Sequence, residues 1–184
     1  DYADTYLCNQ LAIQKIAACV NPCMIRSASP STSEEPPATI LVVGGSGAIG
    51  RATVNELLTR FTSCTVHATY HSSNPAKADR LVWHKLDVRD SQQIKSLAKG
   101  FDHIDWVINC AGYLHGEHGG PEKSIRVIES DFLIENIKLN TLPTLLLAKH
   151  FAAALKKSPM PKLATVSARV GSIEDNRLGG WYSY

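Results

Sequence analysis

Thr39-Ile40-Leu41-Val42-Val43-Gly44-Gly45-Ser46-Gly47-Ala48-Ile49-Gly50-Arg51 reads as a buried strand that runs through a glycine turn into a helix. Ile40 to Val43 carry no polar side chain, as a central parallel strand covered on both faces requires. Gly44, Gly45, Gly47 and Gly50 follow, whereas a plain turn needs one or two glycines. Residues without a Cβ let the backbone turn tightly, let a phosphate approach the main chain and let the next helix pack close to the strand. A helix expected from Ala48 to Arg60, with Ile49, Val54, Leu57 and Leu58 as its apolar side, aims unpaired N–H groups and the positive end of its dipole at that space. An anionic ligand is the expectation.

Outward from this stretch the chain alternates between strand and helix patterns. Cys64 to Tyr70 reads as the second strand, Leu81 to Leu86 as the third, His103 to Asn109 as the fourth and Lys162 to Val166 as the fifth. Asp90 or Ser91 can cap a helix running to about Lys99. A polar, glycine-containing loop from Tyr113 leads to a helix from about Phe132 to Lys157. Repeated βα units of this length give a parallel sheet with right-handed crossovers, hence a doubly wound α/β domain. Ligands of such sheets lie beyond the carboxyl ends of the strands, where Gly44, Asp87, Asn109 and Ser167 fall. The last helix is apolar round most of its circumference, so a surface besides the sheet is expected to cover it. Pro143 is expected to kink it.

At 184 residues, 44% of them hydrophobic and 20% charged, the chain suits one domain with a sizeable core. A formal charge of +2, with no run of bases interleaved with aromatics, speaks against a nucleic-acid partner. Cys8, Cys19, Cys23, Cys64 and Cys110 are odd in number and scattered, which reads as reduced thiols in the cytoplasm. No metal site is read: Cys19 and Cys23 lack further ligands, and His115-Gly116-Glu117-His118 lacks a third partner. Residues 1–38 stand apart from the domain at 39–184. They hold no run long enough to span a bilayer and end in a Ser/Pro linker. They read as a flexible extension, with an organellar presequence as the competing reading, against which stand Asp1, Asp4 and only Lys15 and Arg26 as bases.

Taken in order, several stretches together resemble the short-chain dehydrogenase/reductase family. They are the glycine turn, Asp87-Val88, Asn109-Cys110-Ala111-Gly112, Asn140 in a leucine-rich helix, Val166-Ser167 and Trp181-Tyr182-Ser183-Tyr184. The nearest branch is the C-factor-like and carbonyl-reductase-like one, through Ser167-Ala168-Arg169-Val170-Gly171-Ser172-Ile173. The resemblance covers about Thr39 to Tyr184. It implies a Rossmann fold and an NAD(P)-dependent oxidoreductase that moves a hydride between a nicotinamide and a small carbonyl or alcohol substrate.

By that resemblance Gly44, Ile49 and Gly50 hold the dinucleotide phosphates, with Ser46, Gly47, Ala48 and Arg51 in the same site. Asp87 and Val88 lie at the adenine, while Asn109, Ala111 and Gly112 line the cofactor and steady the sheet. Asn140 holds a proton-relay water, Ser167 polarises the carbonyl, and Tyr184, in preference to Tyr182, donates the proton with help from a lysine four residues on. The chemistry asks for such groups: hydride transfer puts negative charge on the carbonyl oxygen, which needs a donor aimed at it and an acid to protonate it.

Three departures from the family pattern stand out. Ala48 replaces a glycine, and the turn reads equally as Gly44-x2-Gly47-x2-Gly50, a spacing of the extended branch. Ala168 takes the position that usually carries the catalytic hydroxyl, leaving Ser167 or Ser172 to serve. The sequence stops where Tyr-x-x-x-Lys would begin, so a truncated and inactive piece is the expectation.

An acidic residue at the end of the second strand would select NAD, and a base there NADP. Tyr70-His71-Ser72-Ser73 has no carboxylate, and Arg51 adds a positive charge, so NADP is expected over NAD, with His71 in the site. The competing functional class is a dinucleotide-binding regulatory protein that keeps the cradle without the chemistry. The family's usual assemblies imply a homo-oligomer.

Overall fold

The computed structural model describes residues 36–72, 75–116, 119–168, 170 and 179–184. The readings made for residues 1–35, for Glu117 and His118 and for Ser172 lie outside the described residues.

Side chains alternate across β1 (Thr39–Val43), so Ile40 and Val42 enter one core and Leu41 and Val43 the other, all four fully buried. That two-sided burial is why the run holds no polar residue. The first core packs α1 (Ala48–Arg60) through Val54 and Leu57 against Val66, Ala68, Trp106 and Ile108. The second packs α2 (Ser91–Ala98) and α4 (Leu142–Leu155) through Ile94, Leu147, Phe151 and Leu155 against Leu41, Val43 and Val107. With β2 (Thr65–Tyr70), β3 (Leu81–Lys85), β4 (Trp106–Asn109) and β5 (Lys162–Thr165), the sheet runs β3-β2-β1-β4-β5, every pair parallel. This is the doubly wound Rossmann architecture. Its direction of travel reverses between β1 and β4, the switch point where ligands of such sheets bind.

Boundaries moved where a side chain claimed backbone groups. β4 begins at Trp106 rather than His103, because the Asp105 carboxylate turns across to accept the N–H groups of Ala38 and Thr39 at 2.8 and 2.9 Å and the Ser158 hydroxyl. Asp90, not Ser91, caps α2, accepting the N–H groups of Gln92 and Gln93. β5 lies at the sheet edge, with Leu163, Ala164 and Thr165 exposed.

The long apolar helix is not continuous α-helix. α3 (Ser130–Asn136) passes into a π-helical turn, Ile137–Thr141, and then into α4. Leu142 N–H reaches back five residues to the Ile137 carbonyl. Pro143 explains the widening: its ring would clash with the carbonyl four residues back and it has no N–H to donate. The distortion therefore sits just before the proline. Ile134, Ile137 and Leu145 remain 47%, 47% and 61% exposed, the outer face whose covering the sequence anticipates.

On the α2 side of the sheet, His67 and His84 stack at 5.2 Å with Nδ1 and Nε2 2.9 Å apart, and Phe101 stands edge-on to His67. Burial, then the neighbouring His84, holds His67 down at about 4, and burial also lowers His84. The folded pair therefore binds fewer protons than the unfolded chain between the ordinary histidine value of 6.5 and about 4. Stability is complete above that window and is lost as pH falls through it. Urea midpoints taken from about pH 7 down to about pH 4.5 should fall, and fall less steeply in His67→Gln. An equal slope in the variant would contradict the assignment.

Candidate functional site

The glycine turn is built by three glycines that the fold itself requires and a fourth that it does not. Gly44 has φ +75°, and a Cβ there would lie 2.8 Å from Ala111 N, so the ends of β1 and β4 meet backbone to backbone. A Cβ on Gly45 would lie 2.8 Å from that of Ala68, and one on Gly50 only 2.1 Å from Gly44 O, which brings α1 down onto the turn. Gly47 differs. Its φ is −73° and ψ 169°, open to any residue, and its nearest neighbour would be Gly44 O at 3.3 Å. It is exposed at the mouth of the switch point.

Gly47 is also the N-cap of α1, and no side chain caps that terminus. The first intrahelical bond runs from Arg51 N–H to Gly47 O, so the N–H groups of Ala48, Ile49 and Gly50 lead the helix with its positive dipole end. A cradle that one Cβ at Gly47 would fill, facing an uncapped helix, fits a dinucleotide diphosphate.

A cleft opens at this point, and Gly44, Ser46, Gly47, His71, Asp87, Val88, Ala111 and Gly112 all line it. Ala48, Ile49, Gly50, Arg51 and Asn109 do not line it. Gly50 is buried beneath the turn, and Arg51 folds back so that Nη2 donates to Ser46 O at 3.1 Å. Asn109 lies fully behind the cleft: its Oδ1 accepts Ala111 N–H at 3.1 Å and its Nδ2 donates to Thr144 and Thr165. It locks β4 to β5 and α4.

Thr69, at the end of β2, is a site residue that sequence reasoning missed. Its side chain is buried, Oγ1 accepts Gly44 N–H at 2.9 Å, and its carbonyl accepts Ser46 N–H at 3.3 Å. The available signal was a hydroxyl in a buried strand, which needs a partner.

Charge gathers at the far end of the cleft. Arg89 grips Asp87 with Nε at 2.9 Å and Nη2 at 2.7 Å, and His71 Nε2 stands 3.7 Å from the same carboxylate. The Arg89 hydrogen bond, against a smaller burial effect, draws Asp87 down to about 2. The carboxylate is thus ionised and already paired. Cys110, by contrast, is pushed up to about 11 by burial, so it is a packing thiol rather than a nucleophile. Among the described residues no group of three or more His, Cys, Asp or Glu could hold a metal ion. No helix among them is long and apolar enough to cross a membrane.

The chemical end is less gathered. Asn140 sits within the π-helical turn, and its amide is spent on the loop after β4: Oδ1 accepts Tyr113 N–H at 2.7 Å, and Nδ2 donates to Tyr113 O and to Asn136 Oδ1, both at 2.9 Å. The side chain is therefore a loop anchor. Asn136, fully buried and itself bonded to Phe132 O, orients that amide. Ser167 is exposed and outside the cleft. Tyr184 packs edge-on against Trp181 at 5.5 Å. Among the described residues no hydrogen bond or ring contact joins Asn140, Ser167 and Tyr184.

The model of the NAD dependent epimerase/dehydratase family matches residues 40–140, more than half of the chain. The chain belongs to this family, within the short-chain dehydrogenase/reductases. Over 150 residues this short-chain dehydrogenase/reductase is 27% identical to 1-hydroxy-2-glutathionyl-2-methyl-3-butene dehydrogenase of Rhodococcus sp. (strain AD45), covering 79% of the chain and 63% of the relative. Among solved structures, a short-chain dehydrogenase/reductase from Burkholderia multivorans with bound NADP aligns at TM-score 0.67 and 25% identity, covering 81% of this chain and 66% of that one. An NADPH-bound carbonyl reductase from chicken fatty liver aligns at TM-score 0.65 and 25% identity, covering 76% and 60%. The chain thus spans about two thirds or less of the length of these three proteins.

Proposed function

We propose that the complete protein is an NADP-dependent oxidoreductase acting on a small ketone, aldehyde or alcohol. The observation that carries this reading is the bare, exposed main chain at Gly47 opposite an uncapped helix terminus. Nothing in the fold asks for a glycine there, whereas a diphosphate does. When bound, a reduced nicotinamide supplies hydride. The chain's own part is to hold the diphosphate against Gly44, Ser46 and Gly47 at the head of α1, to seat the adenosine beside Val88, and to deliver a proton from the Tyr184 phenol to the substrate oxygen. Ser167 or Ser172 serves as the second donor to that oxygen.

The preference for NADP rests on the far end of the cleft. No carboxylate closes β2, and Asp87 is neutralised by Arg89, so a 2′-phosphate beside His71 meets no free negative charge from either. A homo-oligomer, joined over the exposed Ile134, Ile137 and Leu145 face, belongs to the same reading.

Dissociation constants for NADPH and NADH, measured on the complete protein, test the cofactor. NADPH is expected to bind at least about tenfold more tightly, and Arg89→Ala to lose most of that advantage. Tighter NADH binding would contradict the choice. Consumption of NADPH with a nitrobenzaldehyde probe tests the activity; binding without turnover across a carbonyl panel would favour the regulatory class instead.

A further inference from the structure

Glu122 is a buried carboxylate for which the reductase chemistry has no use. It lies in the loop between β4 and a short 3-10 turn, Ile125–Val127, and is 3% exposed. Among the described residues its Oε1 has no hydrogen-bond partner. A carboxylate is costly to bury unless something holds it in place.

Among the described residues, the polar contacts of Glu122 lead to one segment. The Glu122 carbonyl accepts Trp181 N–H at 2.7 Å, and Oε2 accepts Ser183 N–H at 3.4 Å. Gly180, at φ +80°, is seated on the same loop: a Cβ there would lie 2.7 Å from Glu122 O and 3.4 Å from Lys123 O. Two stretches 61 residues apart thus meet main chain to main chain, with no room for a side chain between them. Burial would raise the Glu122 carboxyl, yet hydrogen bonds from Ser183 and the neighbouring backbone outweigh it and leave the group below its ordinary value. It is an anion at neutral pH.

The clamped segment carries Tyr184. Inside the segment, Tyr184 N–H donates to Trp181 O at 3.3 Å and the two rings meet edge to face at 80°. Tyr184 is therefore tied to Trp181, and Trp181 and Ser183 are tied to Glu122. We infer that Glu122 is a positioning residue whose carbonyl and carboxylate clamp Trp181–Tyr184 and so fix where the Tyr184 phenol stands. The inference rests on the oxidoreductase reading for the role of Tyr184, while the clamp itself stands without it.

Hydrogen exchange and steady-state kinetics on the complete protein, carrying Glu122→Ala or Glu122→Gln, test it. In Glu122→Ala the peptide covering residues 179–184 should exchange about tenfold faster, through loss of the hydrogen bond from Ser183 N–H to the carboxylate, while β1 peptides are unchanged. The Gln variant keeps an oxygen for Ser183 N–H and should stay within about threefold of the parent. With NADPH and a nitrobenzaldehyde, kcat should fall about tenfold in Glu122→Ala at constant KM for NADPH, and recover in Glu122→Gln. Unaltered exchange at 179–184, equally faster exchange throughout the sheet, or a change in KM with kcat constant would overturn the clamp. A parent protein that reduces no member of a carbonyl panel sinks the oxidoreductase reading alone, since the exchange measurement still decides on Glu122.

Discussion

Gly50→Ala should collapse both the fold of the glycine turn and nucleotide binding, whereas Gly47→Ala should remove binding alone. A methyl at position 50 would stand 2.1 Å from Gly44 O and 2.7 Å from Gly44 C and Gly45 Cα. All three are backbone atoms of the turn, so relief means lifting α1 off β1 and opening the core around Val54 and Leu57. Overpacking a well-packed core costs about 1–3 kcal/mol, and here no flexible side chain can yield. A loss of about 3 kcal/mol or more in urea unfolding is expected, with no measurable NADPH uptake.

At position 47 the backbone is ordinary, and Gly44 O at 3.3 Å needs to give by only a few tenths of an ångström. Stability should stay within about 0.5 kcal/mol. NADPH affinity should drop at least about tenfold, because the methyl enters the space meant for phosphate oxygens. If the two variants lose stability alike, or Gly47→Ala binds as well as the parent, the bare main chain is a folding requirement and nothing more.

The second large effect belongs to Tyr184. Tyr184→Phe in the complete protein should lower kcat for carbonyl reduction by about 10²–10⁴, the usual contribution of a positioned acid, and leave the NADPH dissociation constant unchanged. Tyr182→Phe, at a half-exposed position, should lose far less. Comparable losses in the two variants would mean that the phenol assignment is wrong, and a loss of NADPH affinity in Tyr184→Phe would mean that the ring supports the nucleotide rather than the proton.

The parts of the molecule that the sequence made legible are those governed by neighbours in the chain. β1 and α1 fell where the apolar run and the glycines put them, because strand burial, the turn and the helix start are set within a dozen residues. Asp90 as a cap is equally local. The boundary of β4 was not legible, since only the fold shows that Asp105 spends its carboxylate on Ala38 and Thr39, more than sixty residues away.

Thr69 was passed over because its partner, Gly44, lies 25 residues off, and Glu122 because its partner is 61 off. The proline signalled a distortion of the long helix but not that it would be a π-helical turn, from which Asn140, held by Asn136, reaches Tyr113 across the loop. The side chain of Asn140 holds the loop at Tyr113, a partner 27 residues off that the helix pattern could not announce.

The account depends on a pyrophosphate lying against the exposed main chain at Gly47, at the head of α1. Isothermal titration of the complete protein with NADPH, and separately with NADH, tests this most directly. One saturable site per chain, tighter for NADPH and lost in Gly47→Ala without loss of fold, is the predicted result. Heat of dilution alone with both nucleotides would contradict it.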